Sequence, residues 1–188
     1  VIDRPDFCRE KEIMAMEVDR QGNLWISPYG KGIDRYGSGG RVRTHYDVSN
    51  SALTNDVILD IEENDDQLWL ATDGGGISIL NSADNTFSNI RYVPGDVYSF
   101  PFSSVFCLYR DRDGNMWAGT IRGGLFGIKE VFMRTYRDVS PGNRYGMSDK
   151  TVLCLYEDDG GVVWLGTDGG GLNRLDPSTH TFTHYPKT

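Results

Sequence analysis

The chain has 188 residues, with 19 Lys and Arg against 27 Asp and Glu for a formal net charge of −8, 23 glycines, 7 prolines and 12% aromatics. That length can bury an apolar core without disulfides or a structural metal, and the acidic balance argues against nucleic acid or an anionic membrane surface, both of which ask for a basic patch. No apolar run reaches 18 residues, so no membrane-spanning helix is expected, and Cys8, Cys107 and Cys154 form no C-x-x-C pair of the kind zinc and redox sites use.

The chain begins Val1-Ile2-Asp3 and ends Pro186-Lys187-Thr188, and both ends read as cut points in a longer protein. The first predicted element is the apolar run Ile13-Met14-Ala15-Met16-Glu17-Val18-Asp19, followed by a turn at Gly22 and a strand around Trp25. The same order returns as Val57 to Glu63, Asp66 and Trp69; as Val105 to Asp111, Gly114 and Trp117; and as Val152 to Asp158, Gly161 and Trp164. The tryptophans are separated by 44, 48 and 47 residues. An acidic residue stands six before each one: Asp19, Glu63, Asp111 and Asp158. Thr72, Thr120 and Thr167 stand three after (Pro28 in the first copy), and Gly32, Gly76, Gly124 and Gly171 seven after. Four aligned copies make this a repeat protein.

The last copy displays every element of a unit. The run Val152–Tyr156 predicts a strand buried on both faces. A tight turn leads to the Trp strand Val163–Thr167, and the turn Asp168-Gly169-Gly170-Gly171 to a third strand, Leu172–Leu175. Thr181–Tyr185 is the fourth, with counterparts Val42–Tyr46, Phe87–Tyr92 and Phe132–Tyr136. Units of four short strands at this period are β-propeller blades. The predicted fold is therefore all-β, a β-propeller with four four-stranded blades at approximately 12–55, 56–103, 104–150 and 151–188.

The pattern Val-x-x-Leu-Tyr-x-Asp-x-x-Gly-x-x-Trp-x-Gly-Thr-x-x-Gly-Gly-Leu is displayed best by Val105–Leu125 and Val152–Leu172. It resembles the two-component regulator propeller repeat. It differs from WD40, since Ile26, Leu70, Ala118 and Leu165 follow the tryptophans in place of Asp. The loop Asn50-Ser51-Ala52-Leu53-Thr54-Asn55 also looks like that family's connector, whereas Ser27-Pro28 departs from Gly-Thr in the first copy. The resemblance implies a fragment of a seven-bladed propeller from the periplasmic sensor region of a hybrid two-component histidine kinase of Bacteroidetes. It implies a homodimeric membrane protein whose sensor detects oligosaccharides and signals to polysaccharide-utilisation genes. Four blades taken from a larger propeller would leave open flanks, so self-association of the segment is also expected.

Chain direction places the connectors Asp47–Asn55, Val93–Ser103 and Arg137–Lys150 on the same side as the glycine turns. They vary most between copies, and such loops on a rigid scaffold carry binding residues. Tyr98 in the second connector, and Arg144 and Tyr145 in the third, are candidates: tyrosine stacks on sugar rings, and arginine bonds hydroxyls, carboxylates and sulfates. The alternative for Arg144 and Tyr145, and the leading reading for Phe100 and Phe102, is packing between blades. Arg122 stands where other copies carry Gly74 and Gly169, through either ligand contact or drift on a solvated turn.

The tryptophans read as packing, the acidic series as turn chemistry, and Cys107 and Cys154 as small core residues. His45 and His184 share a register in the fourth strand, which favours a surface-strand role. No catalytic constellation stands out. Gly114 and Arg122 fall fourth and twelfth from Asp111 where an EF-hand needs Gly sixth and Glu twelfth, and no Gly-Lys-Ser/Thr follows the triple glycines. No enzyme activity, metal or cofactor is expected. A scaffold or protein-interaction propeller is the alternative function.

Overall fold

A computed structural model describes residues 12–37, 42–94, 100, 102–129, 132–137, 139 and 142–186. These form two compact units, Val1–Ser103 and Ser104–Thr188. The first holds two antiparallel sheets, each a meander in chain order: β1 (Ile13–Val18), β2 (Leu24–Pro28), β3 (Ile33–Tyr36), β4 (Val42–Tyr46), then β5 (Ile58–Asn64), β6 (Gln67–Thr72), β7 (Gly76–Asn81), β8 (Phe87–Ile90). The second holds β9 (Val105–Arg110), β10 (Met116–Thr120), β11 (Gly124–Lys129), β12 (Phe132–Tyr136), then β13 (Val152–Glu157), β14 (Val163–Thr167), β15 (Gly171–Asp176), β16 (Thr181–Tyr185). There is no helix among the described residues.

The repeated tryptophan organises each sheet through its indole N–H as much as through its ring. Trp25, Trp117 and Trp164 donate to Asp19, Asp111 and Asp158, each at 2.8 Å. Those carboxylates also accept backbone N–H groups across the turn, from Asn23 at 2.8 Å, Asn115 at 2.7 Å and Val162 at 3.1 Å. The acid six before the Trp thus closes the hairpin and satisfies a buried donor together. Burial of Asp19 opposes its ionisation, but the bonds from Trp25 and Asn23 outweigh it and hold the carboxyl below its ordinary range. The second sheet departs from the pattern. Trp69 donates to Gln67 at 3.3 Å, while Glu63 accepts the backbone N–H of Arg20 from the neighbouring sheet at 2.8 Å.

The glycine seven after each Trp has a steric cause. Gly32, Gly76 and Gly124 have φ of 71°, 79° and 91°, and a Cβ there would collide with the carbonyl oxygens of Tyr46, Ile90 and Tyr136 in the fourth strands. The threonine three after the Trp fastens the same turn, since Thr72, Thr120 and Thr167 donate to the carbonyls of Gly76, Gly124 and Gly171 at 2.8 Å.

Within each unit the Trp face of the first sheet packs on the second sheet. In the first unit Ala15, Trp25 and Tyr46 meet Ile58, Ile61, Leu68 and Leu70; in the second Cys107, Trp117 and Tyr136 meet Val152, Val163, Leu165 and Phe182. The two seams are built alike. Trp25 stacks on Tyr46 and Trp117 on Tyr136, both at 6.3 Å, and each tyrosine meets Phe87 or Phe182 edge-on at 5.5 and 5.4 Å. The tyrosine hydroxyls bond across the seam, Tyr46 to Asn85 Oδ1 at 2.7 Å and Tyr136 to His180 Nδ1 at 2.8 Å. Asn85 and His180 both adopt left-handed backbone, φ 60° and 58°.

Three expectations are corrected. The first strands are not all buried on both faces: Met16 and Val18 of β1 are exposed, as is Tyr156 of β13, because each of these sheets is covered by its partner sheet on one side. Cys107 is a core residue but Cys154 is exposed, since it lies on the face of its sheet turned away from that seam. The fourth strand expected over Phe87–Tyr92 ends at Ile90, whose partner Ile77 is the last pair with β7. In that register Gly76 and Gly75 would face Arg91 and Tyr92, but their N–H groups go to the Ser103 carbonyl at 2.6 Å and the Thr72 hydroxyl at 3.1 Å, and both residues leave the sheet.

Candidate functional site

The connectors are fastened at their bases. In the first unit Thr54 is held by Ser78, a fully buried residue of β7, through its N–H at 3.2 Å and its hydroxyl at 2.9 Å. Asn89 Nδ2 donates to the Ala52 carbonyl at 3.1 Å. The second unit repeats the device: Asn173, fully buried in β15, accepts the Ser148 N–H at 2.8 Å and donates to its hydroxyl at 2.7 Å, while His184 Nε2 lies 2.8 Å from the Gly146 carbonyl. The glycine turns dock onto the connector ends, with Gly32 N–H on Asp56 O at 2.9 Å and Gly124 N–H on Lys150 O at 2.7 Å. Rigid feet under exposed tips are what a recognition surface needs.

A charge relay anchors the first connector. His45 lies between Asp34 at 2.8 Å and Asp47 at 3.2 Å, and Asp47 also accepts Ser49 and Asn50 N–H groups. Burial works against the imidazolium, but the bonds to Asp34 and Asp47 outweigh it and raise the His45 pKa above 6.5. The stabilisation is therefore fully present below pH 6.5 and is lost as pH rises through the folded-state value. Denaturation midpoints followed upward from pH 6.5 are expected to fall less steeply in His45→Gln than in the wild type; equal slopes would remove this assignment.

An open cavity of about 710 Å³ lies on the connector face of the first unit, lined by residues that include Leu53, Thr54, Gly75, Arg91, Tyr92 and Pro94. Arg91 and Tyr92 are exposed and follow directly on the end of β8. Arg91 makes no ion pair among the described residues. Asn89 and Ser103 add further polar atoms to the wall. Sequence reasoning missed this pair because it assigned both residues to the strand, although an adjacent basic and aromatic residue ahead of a variable loop was the available signal.

Of the candidate residues named from sequence, Tyr98 lies outside the described residues. Arg144 and Tyr145 are exposed and contact each other: the guanidinium lies 5.0 Å from the tyrosine ring and Nη2 donates to its hydroxyl at 2.8 Å. The Arg144 carbonyl accepts the Phe182 N–H at 2.6 Å, which ties this part of the connector to β16. Arg122 is exposed, with φ 63°, and its N–H reaches the Thr151 hydroxyl at 3.2 Å, at the end of the same connector. Gly74 and Gly169, its counterparts, have φ of 102° and 100°, so Arg122 holds a conformation that glycine holds without strain. Arg122→Gly is expected to stabilise the second unit by about 1 kcal/mol. An unchanged or lower urea midpoint would mean that the arginine side chain compensates the strain. Phe100 is buried, in keeping with packing, and the Arg137 guanidinium lies 5.6 Å from the Phe126 ring.

Among the described residues no three His, Cys, Asp or Glu side chains stand together as a metal-binding group. The polar groups on the connector face can bond hydroxyls and anions, and its tyrosines offer rings for stacking.

Residues 99–122 and 146–169 match the family model described as two component regulator propeller. The extracellular domain of BT4673 from B. thetaiotaomicron, ascribed to a hybrid two component system, superposes with TM-score 0.76 at 21% identity over 97% of this chain and 26% of that one. The extracellular domain of BT3049 from the same organism, ascribed likewise, gives TM-score 0.52 at 20% identity over 93% of this chain and 30% of that one. Virginiamycin B lyase from Staphylococcus aureus gives TM-score 0.69 at 14% identity over 93% of this chain and 55% of that one. These likenesses establish the β-propeller fold, of which the four sheets are blades. The chain spans about a quarter of the BT4673 domain. No curated protein matches the sequence.

Proposed function

We propose that this chain is a non-enzymatic, ligand-sensing propeller segment of the extracytoplasmic input domain of a hybrid two-component sensor histidine kinase. It lies in the periplasm, and its ligand is an oligosaccharide whose binding across the connectors signals to polysaccharide-utilisation genes. The observation that carries this reading is the match of two blades to the two component regulator propeller model. The connectors of each unit, taken by itself, support it: fastened bases in both, an open cavity with exposed Arg91 and Tyr92 in the first, and exposed Arg144 and Tyr145 in the second. Tyr98, by its place in the sequence of the second connector, and Arg122, on a glycine turn, remain proposed ligand residues on this reading. A ligand that binds one arrangement of two sensor chains better than another shifts the population of kinase states by that difference in affinity.

A thermal-shift screen of the intact sensor region against oligosaccharide libraries tests the reading. Stabilisation by at least one glycan is expected, since a ligand that binds only the folded state raises its stability; a flat response across all of them would overturn the ligand assignment.

A second reading, a scaffold or protein-interaction propeller, draws on Tyr156, Leu172 and Tyr185, which are exposed on the last sheet. On that reading copies of the segment associate through this face. Multi-angle light scattering at high concentration decides it, and a monodisperse monomer counts against it.

A further inference from the structure

We propose that the cavity beside β8 is a subsite for an acidic sugar, one bearing a carboxylate or a sulfate ester, with Arg91 as the anion-binding residue and Tyr92 as the stacking platform. This rests on the sensor reading above and narrows its ligand to a chemical class. Three observations lead to it.

Among the described residues Arg91 is a cation without a carboxylate partner, in a chain of net charge −8. Of the other exposed arginines, Arg20 pairs with Glu63 and Asp65, Arg112 with Asp159 and Arg144 with Tyr145, whereas Arg122, which does not line the cavity, shares with Arg91 the lack of an ion pair among the described residues. A guanidinium is a planar fork of donors that matches a carboxylate or sulfate with paired bonds. An unpaired one at the wall of a cavity is placed to receive an anion from solution.

Several donors around it that a sugar might otherwise use are already committed. Thr54 is bonded to Ser78, the Asn89 amide N–H to Ala52, and the Gly74 and Gly75 N–H groups to Ser103 and Thr72. These bonds shape the wall and leave Arg91, with the Tyr92 and Ser103 hydroxyls, as lining donors that make no bond within the described residues. Recognition by so few neutral donors would be weak, whereas a charged pair carries more of the binding.

The rest of the lining suits a sugar ring rather than a bare ion. Tyr92 is 51% exposed, and Leu53 and Pro94 add apolar surface to a cavity of about 710 Å³, large enough for more than one pyranose ring. The axial and equatorial C–H groups of a sugar pack on such aromatic surface while its anionic group reaches the guanidinium.

The test is isothermal titration calorimetry on the 188-residue chain with four probes: an oligogalacturonate, a sulfated chondroitin oligosaccharide, a neutral xylo-oligosaccharide of matched length, and inorganic sulfate. One acidic oligosaccharide or both should bind at least tenfold more tightly than the neutral probe, weakening as salt rises. Which of the two binds separates a carboxylate ligand from a sulfate one. Arg91→Gln should abolish the preference for acidic probes, Arg91→Lys should retain part of it, and Tyr92→Ala should weaken each bound sugar about tenfold. Thermal unfolding of each variant verifies that the fold is retained. Neutral sugar bound as tightly as acidic sugar, full affinity in Arg91→Gln, or inorganic sulfate bound as well as the sulfated sugar would each overturn the proposal. Binding of the neutral probe alone would overturn the acidic subsite and leave the sensor reading standing. A null result with all sugars here, together with a flat screen of the intact sensor, would remove both.

Discussion

Gly124→Ala is expected to destabilise the second unit by about 3 kcal/mol. Two effects add. The residue holds φ 91°, a region that burdens an L side chain by roughly 1–2 kcal/mol. The new Cβ would also collide with the Tyr136 carbonyl of β12 and lie 3.1 Å from Met147 Cε. A methionine can yield, but the carbonyl belongs to a paired strand: Tyr136 sits opposite Leu125, the residue after Gly124. Making room means prising β12 from β11 and disturbing the seam in which Tyr136 stacks on Trp117. Gly114→Ala separates the two effects. Gly114 has φ 79° but its Cβ would meet only Arg110 Nη2 at 3.8 Å, so about 1 kcal/mol is expected there. Urea denaturation of both variants gives the comparison, and equal losses would show that the strand accommodates the methyl group.

Asp111→Ala should cost about 2–4 kcal/mol. Asp111 and Trp117 are both buried, and truncation strips the indole N–H of its acceptor at 2.8 Å while releasing Asn115 from the turn. An orphaned donor that water cannot reach is the larger part of that loss. The second blade supplies the internal contrast. Glu63 occupies the same repeat position, yet Trp69 donates to Gln67, so Glu63→Ala leaves the indole bonded and should cost about 1 kcal/mol. A double-mutant cycle isolates the cause: Trp117→Phe should be less damaging in the Asp111→Ala background than in the wild type, because the orphan is then removed. Additive losses would mean that Asp111 acts through the turn alone.

The repeat made the fold legible because a blade places the same demands on the chain each time it recurs. Trp25, Trp69, Trp117 and Trp164 mark the second strands, and the glycines seven residues on mark where a fourth strand's carbonyl passes too close for a side chain. The acidic series was legible as spacing but its role was understood only in part, since the carboxylate that closes the hairpin also accepts the indole N–H. The cavity was hidden for a different reason. Whether Arg91 and Tyr92 extend β8 or leave it is decided by where the Gly76 and Gly75 N–H groups bond, to the Ser103 carbonyl and the Thr72 hydroxyl, a docking that Gly32 and Gly124 repeat but that the run Phe87–Tyr92 read by itself does not reveal. Burial was likewise legible only where a neighbour is implied by the repeat itself: Cys107 and Cys154 share a register, yet one lies in a seam and the other outside it.

The fastening of the connectors bears on how such a protein can change over time. Ser78 and Asn173 lie inside their sheets, and Asn89 and His184 grip main-chain carbonyls that any residue at positions 52 and 146 would present. The feet are thus indifferent to what is written between them. Spans can be lengthened, shortened or recoloured without touching the tryptophan seams, so new specificities are within reach of a few substitutions or insertions while the sheets beneath stay under strict constraint. A library randomised only between the fastened positions would sample that freedom with the scaffold intact.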